Sequence, residues 1–204
     1  MLLSILICSH KSRKQLCYQM MESLSRQILN GGYLMKAEIL FEINTAVMSR
    51  GFDRNKLLER ATGEYCCFVD DDDVVSLKYV DNIIAAIKAH KDCDVFGIKG
   101  IVTSLATNEV KRFELSIHNE QIFSLPSDEH ENDCFRRYIN HLNPIKTEIA
   151  KKIRFPLEML NEDNGYTNRL ISFESTNPLK EIMIPETLYY YYNRCRITSH
   201  GVRI

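Results

Sequence analysis

Apolar positions along the chain switch between two spacings. Leu2 to Ile7 is a nearly unbroken apolar run, the pattern of a strand buried on both faces of a parallel sheet. Behind it Leu16, Met20, Leu24 and Ile28 recur at helical spacing from about Lys14 to Ile28, and the breaker cluster Asn30-Gly31-Gly32 ends them. Ala37 to Ile43 predicts a second strand, and Arg54 to Ala61, stopped by Gly63, a second helix. Tyr65 to Val69 is a short third strand that runs directly into four aspartates. Leu77 to His90, with Val80, Ile83, Ile84 and Ile87 on one face, predicts a third helix, and Asp94 to Ile98 a fourth strand. This alternation of strand and helix predicts an α/β fold with a mainly parallel central sheet, helices on both faces, and ligands at the carboxyl ends of the strands.

The second half is less regular and predicts a small antiparallel addition. Ile101 to Leu125 alternates around a turn signal at Asn108, which suits hairpin strands. Lys146 to Ile153 and Glu162 to Ile171 are expected to be helical, and Ile182 to Tyr192 to form two short strands around Pro185.

At 204 residues and 45% hydrophobic, the chain is expected to be a single domain, 1–204, with a ligand-binding half over 1–100 and a second half over 101–204. Lys and Arg (26) nearly cancel Asp and Glu (27), so no global basic field supports nonspecific nucleic-acid binding. The opening apolar run lacks a basic region ahead of it and a small-residue cleavage site behind it, so it is expected to be a strand and not a signal peptide. No apolar stretch approaches the roughly 18 to 20 residues a membrane helix needs. Seven cysteines without any C-x-x-C pair suit reduced thiols, and a soluble cytoplasmic protein is expected.

The strongest chemical signal is Asp70-Asp71-Asp72-Asp73 after Phe68-Val69. A buried strand delivers four mutually repelling carboxylates to one sheet end, where something positive must compensate them. On an extended backbone Asp70 and Asp72 would point to one face and Asp71 and Asp73 to the other. Oxygen ligands alone suit a hard divalent cation, Mg²⁺ or Mn²⁺, which commonly shares its shell with water and substrate phosphates. There is no G-x-G-x-x-G after the first strand and no G-K-[ST], so dinucleotide and P-loop cradles are disfavoured. The run also lacks the Gly and Glu of an EF-hand loop. Farther on, Glu162-Asp163 opens a predicted helix, where the helix dipole stabilises carboxylates in the charged form.

In order, Leu3-Ser4-Ile5-Leu6-Ile7 with Ser9-His10, then Gly51 to Leu58 and Ala61-Thr62-Gly63-Glu64-Tyr65, lead into the aspartate run. Asn143-Pro144-Ile145-Lys146, Phe155-Pro156, Asn161-Glu162-Asp163 and Arg169-Leu170 follow. This set resembles the inverting nucleotide-sugar glycosyltransferases of family 2, with the GT-A (Rossmann-like) fold and a D-x-D-D motif. The resemblance implies a nucleotide-diphosphate sugar as donor and a divalent metal as cofactor. It implies Asp72 as direct metal ligand, with Asp70 and Asp71 contacting the ribose or the metal's waters and Asp70 near enough to share the ion. Ser9 and His10 would face the nucleotide, and Arg54 the donor base or diphosphate. Asp163 would be the general base toward the acceptor hydroxyl, with Glu162 orienting it. His200, just beyond the last predicted strand, would return to the cation as such histidines do in related enzymes. Two departures stand out: Cys8 replaces a frequent Pro, and the second strand lacks the Asp-Asp-Gly-Ser ending that reads a uracil, leaving Glu42 or Asn44 to substitute. The long C-terminal extension of many polymerising members is also missing, which disfavours a processive synthase.

Other chemistries compete for the same residues. A haloacid dehalogenase-like phosphatase carries its D-x-D after the first strand, whereas this one follows the third. A nucleotidyltransferase needs a Gly-rich, Arg-containing first loop, and Ser9 to Lys14 has no Gly. A non-catalytic nucleotide-sugar-binding module would have no need of Asp163. The acceptor stays open among a glycan, a lipid-linked sugar, a protein hydroxyl and a modified DNA base; Arg136, Arg137, Arg194, Arg196 and Arg203 could meet an anionic one.

Overall fold

The computed structural model describes residues 1–44, 49–120, 134–157 and 161–193. Among them a nine-stranded sheet forms the centre, in the order β2-β1-β3-β8-β5-β6-β7, with β9 paired to β5 and to the two-residue β4. The strands are β1 (Leu3–His10), β2 (Ala37–Asn44), β3 (Tyr65–Phe68), β4 (Val74–Val75), β5 (Val95–Ser104), β6 (Val110–Leu115), β7 (Cys134–Arg137), β8 (Ile145–Lys146) and β9 (Glu181–Asn193). Five helices complete the fold: α1 (Lys14–Asn30), α2 (Arg50–Arg60), α3 (Tyr79–Ala89), α4 (Thr147–Ile153) and α5 (Glu162–Glu174). β1 lies parallel to both β2 and β3, with Leu3 opposite Ala37 and Tyr65.

Strand periodicity divides the core into two clusters. Leu3, Ile5 and Ile7 of β1 and Tyr65 and Cys67 of β3 pack with Leu24 and Ile28 of α1 and Ile83 and Ile87 of α3. Leu6 and Cys8, with Cys66 and Phe68, pack instead with Leu57 and Leu58 of α2, Ile149 and Ile153 of α4, and Tyr166 and Leu170 of α5. Neighbours Cys66 and Cys67 thus face opposite sides of the sheet, as the double burial of the strand demands.

Three expectations are corrected. Ile182 to Tyr192 is not two strands: β9 runs through Pro185 and absorbs it in a register shift, where Met183 faces Gly97 but Thr187 faces Lys99. A proline without an amide hydrogen is tolerated at such an irregularity. α2 starts at Arg50, not Arg54, because the Ser49 hydroxyl accepts the Phe52 amide at 3.3 Å and caps it. β8, too short to show a period, inserts antiparallel between β3 and β5. The Asn108 turn is as expected, joining antiparallel β5 and β6 with Asn108 at φ 57°. Within the described residues no helix is long and apolar enough to cross a membrane.

Candidate active site

The carboxyl ends of β1, β2 and β3 come together, and the aspartate run turns there. The run is a turn and not an extended segment, so the expected alternation of faces fails and each side chain finds its own partner. Asp71 is enclosed: the Ser9 hydroxyl donates to its Oδ2 at 2.5 Å, and Arg13 lies 3.0 Å from its Oδ1. The same Arg13 guanidinium reaches Asp72 Oδ2 at 2.8 Å. Asp73 points back toward β9, accepting the Tyr189 hydroxyl at 2.9 Å and the Tyr192 amide at 3.1 Å. Burial first, then the charge of Asp70, pushes its carboxyl up to about 7 against those hydrogen bonds. Asp73 is therefore a strut between the turn and β9.

Asp70 belongs to a second cluster built around Arg54. Arg54, only 3% exposed, reaches Asp70 Oδ1 and Asp163 Oδ1 with one nitrogen at 3.2 Å each, and its guanidinium lies over the rings of Phe68 and Phe155. His141 closes the ring, with Nε2 3.4 Å from Asp70 Oδ2 and Nδ1 3.3 Å from Asp163 Oδ1. Burial alone would raise the Asp70 carboxyl, but His141 and Arg54 outweigh it and hold it well below the usual carboxylate range. For Arg54, burial disfavours the cation while Asp163 and Asp70 more than restore it.

The backbone that aims Asp163 is clamped to α2. Asn55, next to Arg54, donates to the Phe155 carbonyl at 3.0 Å and accepts the Phe155 amide at 2.8 Å, so one side chain imitates a strand partner. A Cβ on Gly51 would fall 1.9 Å from the Pro156 carbonyl oxygen, and only glycine permits that approach. Phe155 stacks on Tyr166 of α5 with ring centroids 4.2 Å apart. Asn161 enters α5 at φ 61°, and Asp163 follows in its first turn. His141 is set by its own backbone, whose carbonyl accepts the Phe68 amide at 2.9 Å, and by Asn143, whose side chain donates to Phe96 and Leu115 carbonyls.

The structure thus brings together Ser9, Arg54, Asp70, Asp71, Asp72 and Asp163 at one end of the sheet. Glu162 is buried behind Asp163, its Oε1 3.9 Å from Arg50. His10 is exposed; its Nδ1 accepts the Ser12 amide at 3.3 Å and the Ser12 hydroxyl at 2.8 Å, capping the short turn after β1. Glu42 is paired with Lys56 and Arg60, and Asn44 donates to Asp53 at 2.5 Å, so both are engaged with α2. His200 lies outside the described residues, as do Arg194, Arg196 and Arg203. Arg13 and His141 are functional candidates that sequence reasoning missed. Arg13 sits in a basic stretch that looks like ordinary surface, while His141 lies two residues before the Asn143-Pro144 segment, a proximity that was its one available signal.

A mainly parallel sheet with an acidic turn at the end of its third strand, bridged to a carboxylate at a helix start, defines a GT-A type α/β protein. The model of glycosyl transferase family 2 matches residues 52–151 of this chain. The crystal structure of S. aureus TarS 1-349 is similar over 94% of this chain and 60% of that one, at 15% identity and a TM-score of 0.57. The same protein in complex with UDP gives 16% identity and a TM-score of 0.59 over 94% of this chain and 60% of that one. In complex with UDP-GlcNAc it gives 15% identity and a TM-score of 0.56 over 100% of this chain and 62% of that one. The chain therefore spans about three fifths of the length of these structures, and at this identity the likeness concerns the fold. No curated protein matches it significantly.

Proposed function

We propose that the chain transfers a hexosyl or pentosyl group, with inversion, from a nucleotide-diphosphate sugar to an acceptor hydroxyl. The observation that carries this reading is Arg54 bridging Asp70 and Asp163 at 3.2 Å each, which joins the aspartate turn and the helix-start carboxylate in one site. In this reading the donor occupies the strand ends of residues 1–100, and residues 101–204 receive the acceptor, all within one domain. Asp163, 42% exposed and contacted by Arg54 and His141 on the same oxygen, takes the acceptor proton as the hydroxyl oxygen bonds to the anomeric carbon. The bond from that carbon to the diphosphate oxygen breaks on the opposite face, and the electron pair leaves with the diphosphate. Glu162 backs Asp163, and Ser9 keeps Asp71 in place.

Asp72 is a partly exposed carboxylate at 27%, and its hard oxygens fit a Mg²⁺ or Mn²⁺ that completes its shell with phosphate and water. Among the described residues no group of three or more His, Cys, Asp or Glu is gathered to hold an ion. Asp70, whose oxygens face Arg54 and His141, lines the site in this reading and leaves the ion to Asp72. When bound, the cation would act as a Lewis acid toward the departing diphosphate. The proposed cytoplasmic location rests on the seven cysteines of the sequence, which form no C-x-x-C pair.

The test is Asp163→Asn. Incubation with Mn²⁺ and a panel of nucleotide sugars, read by thermal shift and nucleotide release, first identifies the donor. Turnover of that donor should then fall roughly 10²- to 10⁴-fold in the variant while donor affinity is kept. A variant that binds donor much more weakly yet still turns over would move Asp163 to the donor side and defeat the assignment.

A further inference from the structure

We propose that Arg13 holds the cation's place on the aspartate turn, and that metal and donor must displace it from Asp72 to bind. The inference rests on the metal reading above. Arg13 ends the single turn Lys11–Arg13 that follows β1, so its backbone is anchored beside the strand ends. Its guanidinium spans two adjacent carboxylates, 3.0 Å from Asp71 Oδ1 and 2.8 Å from Asp72 Oδ2. A planar fork of donors is suited to such bridging, and it supplies the positive charge that the turn requires.

The two arms of the bridge differ in what could replace them. The Asp71 side chain is fully enclosed and already accepts from Ser9 on its other oxygen, so no hydrated ion can reach it. Asp72 is 27% exposed and Arg13 28%, so that arm faces solvent and an incoming ion contests it directly. A guanidinium and a divalent cation cannot both sit against the same carboxylate oxygen at bonding distance without strong repulsion. Released from Asp72, Arg13 would keep its hold on Asp71 and turn a donor-rich, positively charged edge toward the diphosphate. Its Nε is buried and makes no hydrogen bond, a spare donor available for that new partner. The cation would then bind poorly alone and well together with the nucleotide, which offers Arg13 an anion in exchange.

Direct Mn²⁺ titration, read by electron paramagnetic resonance of the free ion, tests this without any turnover. Wild type, Arg13→Ala and Arg13→Gln are each titrated with Mn²⁺ alone and with nucleoside diphosphates of every base; the Gln variant keeps the turn's hydrogen bonding should Ala disturb folding. The expected result is weak Mn²⁺ binding by wild type that strengthens when its nucleotide is added, and Mn²⁺ binding by Arg13→Ala alone that is about tenfold tighter than wild type. Adding Asp72→Asn to Arg13→Ala should abolish the gain. Equal or weaker Mn²⁺ affinity in both Arg13 variants, with nucleotide-dependent binding intact, would overturn the proposal and leave the metal reading standing. No Mn²⁺ binding in any arm would overturn both.

Discussion

Arg54 gives one buried positive charge to two carboxylates that both reach solvent. Without it Asp70 and Asp163 would lose a charged hydrogen-bond partner, although solvent at both carboxylates would offset part of the loss. Arg54→Met, which keeps the packing against Phe68 and Phe155, should therefore lower stability by about 1.5 to 3 kcal/mol, read by urea denaturation. A loss below about 1 kcal/mol would mean that His141 or solvent already compensates the pair. Arg54, Asp70 and Asp163 were legible in the sequence because each stands in a segment with recognisable neighbours. His141 was not: it acts through a meeting of Asp70 and Asp163, 93 positions apart, that only the folded chain arranges.

Between elements, Glu38 is the corresponding fastener. From β2 its Oε1 accepts the Ser4 hydroxyl of β1 at 2.6 Å and both the amide and hydroxyl of Thr62 at 2.8 Å, tying two strands to the turn between α2 and β3. Burial would raise this carboxyl, but the donated hydrogen bonds prevail and hold it below its ordinary 4.5. A depressed carboxyl contributes stability above its unfolded value and loses that contribution as pH falls through the folded one. Wild type should thus lose stability on acidification below pH 4.5, whereas Glu38→Gln should be about 1 kcal/mol less stable at pH 7 and flatter on the acid side. Parallel acid limbs for the two proteins, followed by circular dichroism, would remove Glu38 from that role. The elements with clear periods, α1 and the strands of the first half, were readable from the chain. β8 was not, because two residues cannot display a period, and the continuity of β9 was not, because only the bulge against β5 explains how a strand survives Pro185.

For the whole molecule, the thiols report on whether the two cores open together. Cys8 and Cys66 face one cluster and Cys17, Cys67 and Cys93 the other, all buried, and burial pushes Cys8, Cys66 and Cys67 up to about 12. The thiolate is the reactive form, so in the native protein these five should resist alkylation while half-buried Cys134 reacts. In rising urea, mass-spectrometric labelling should show both sets becoming reactive at one midpoint, as expected of a single cooperative domain. Reaction of one set well before the other would divide the chain into two units. The place of β8 has a consequence in time. Its two residues, 145 and 146, fill the gap between β3 and β5, which the ribosome delivers long before them. Until they emerge, the nascent sheet has two unsatisfied inner edges, and the carbonyl of His141 that caps Phe68 has not yet been made. A chain arrested at residue 100 would hold every aspartate of the turn and still lack the centre of its sheet, so the first half must wait, exposed to chaperones and to misassociation, for the second to complete it.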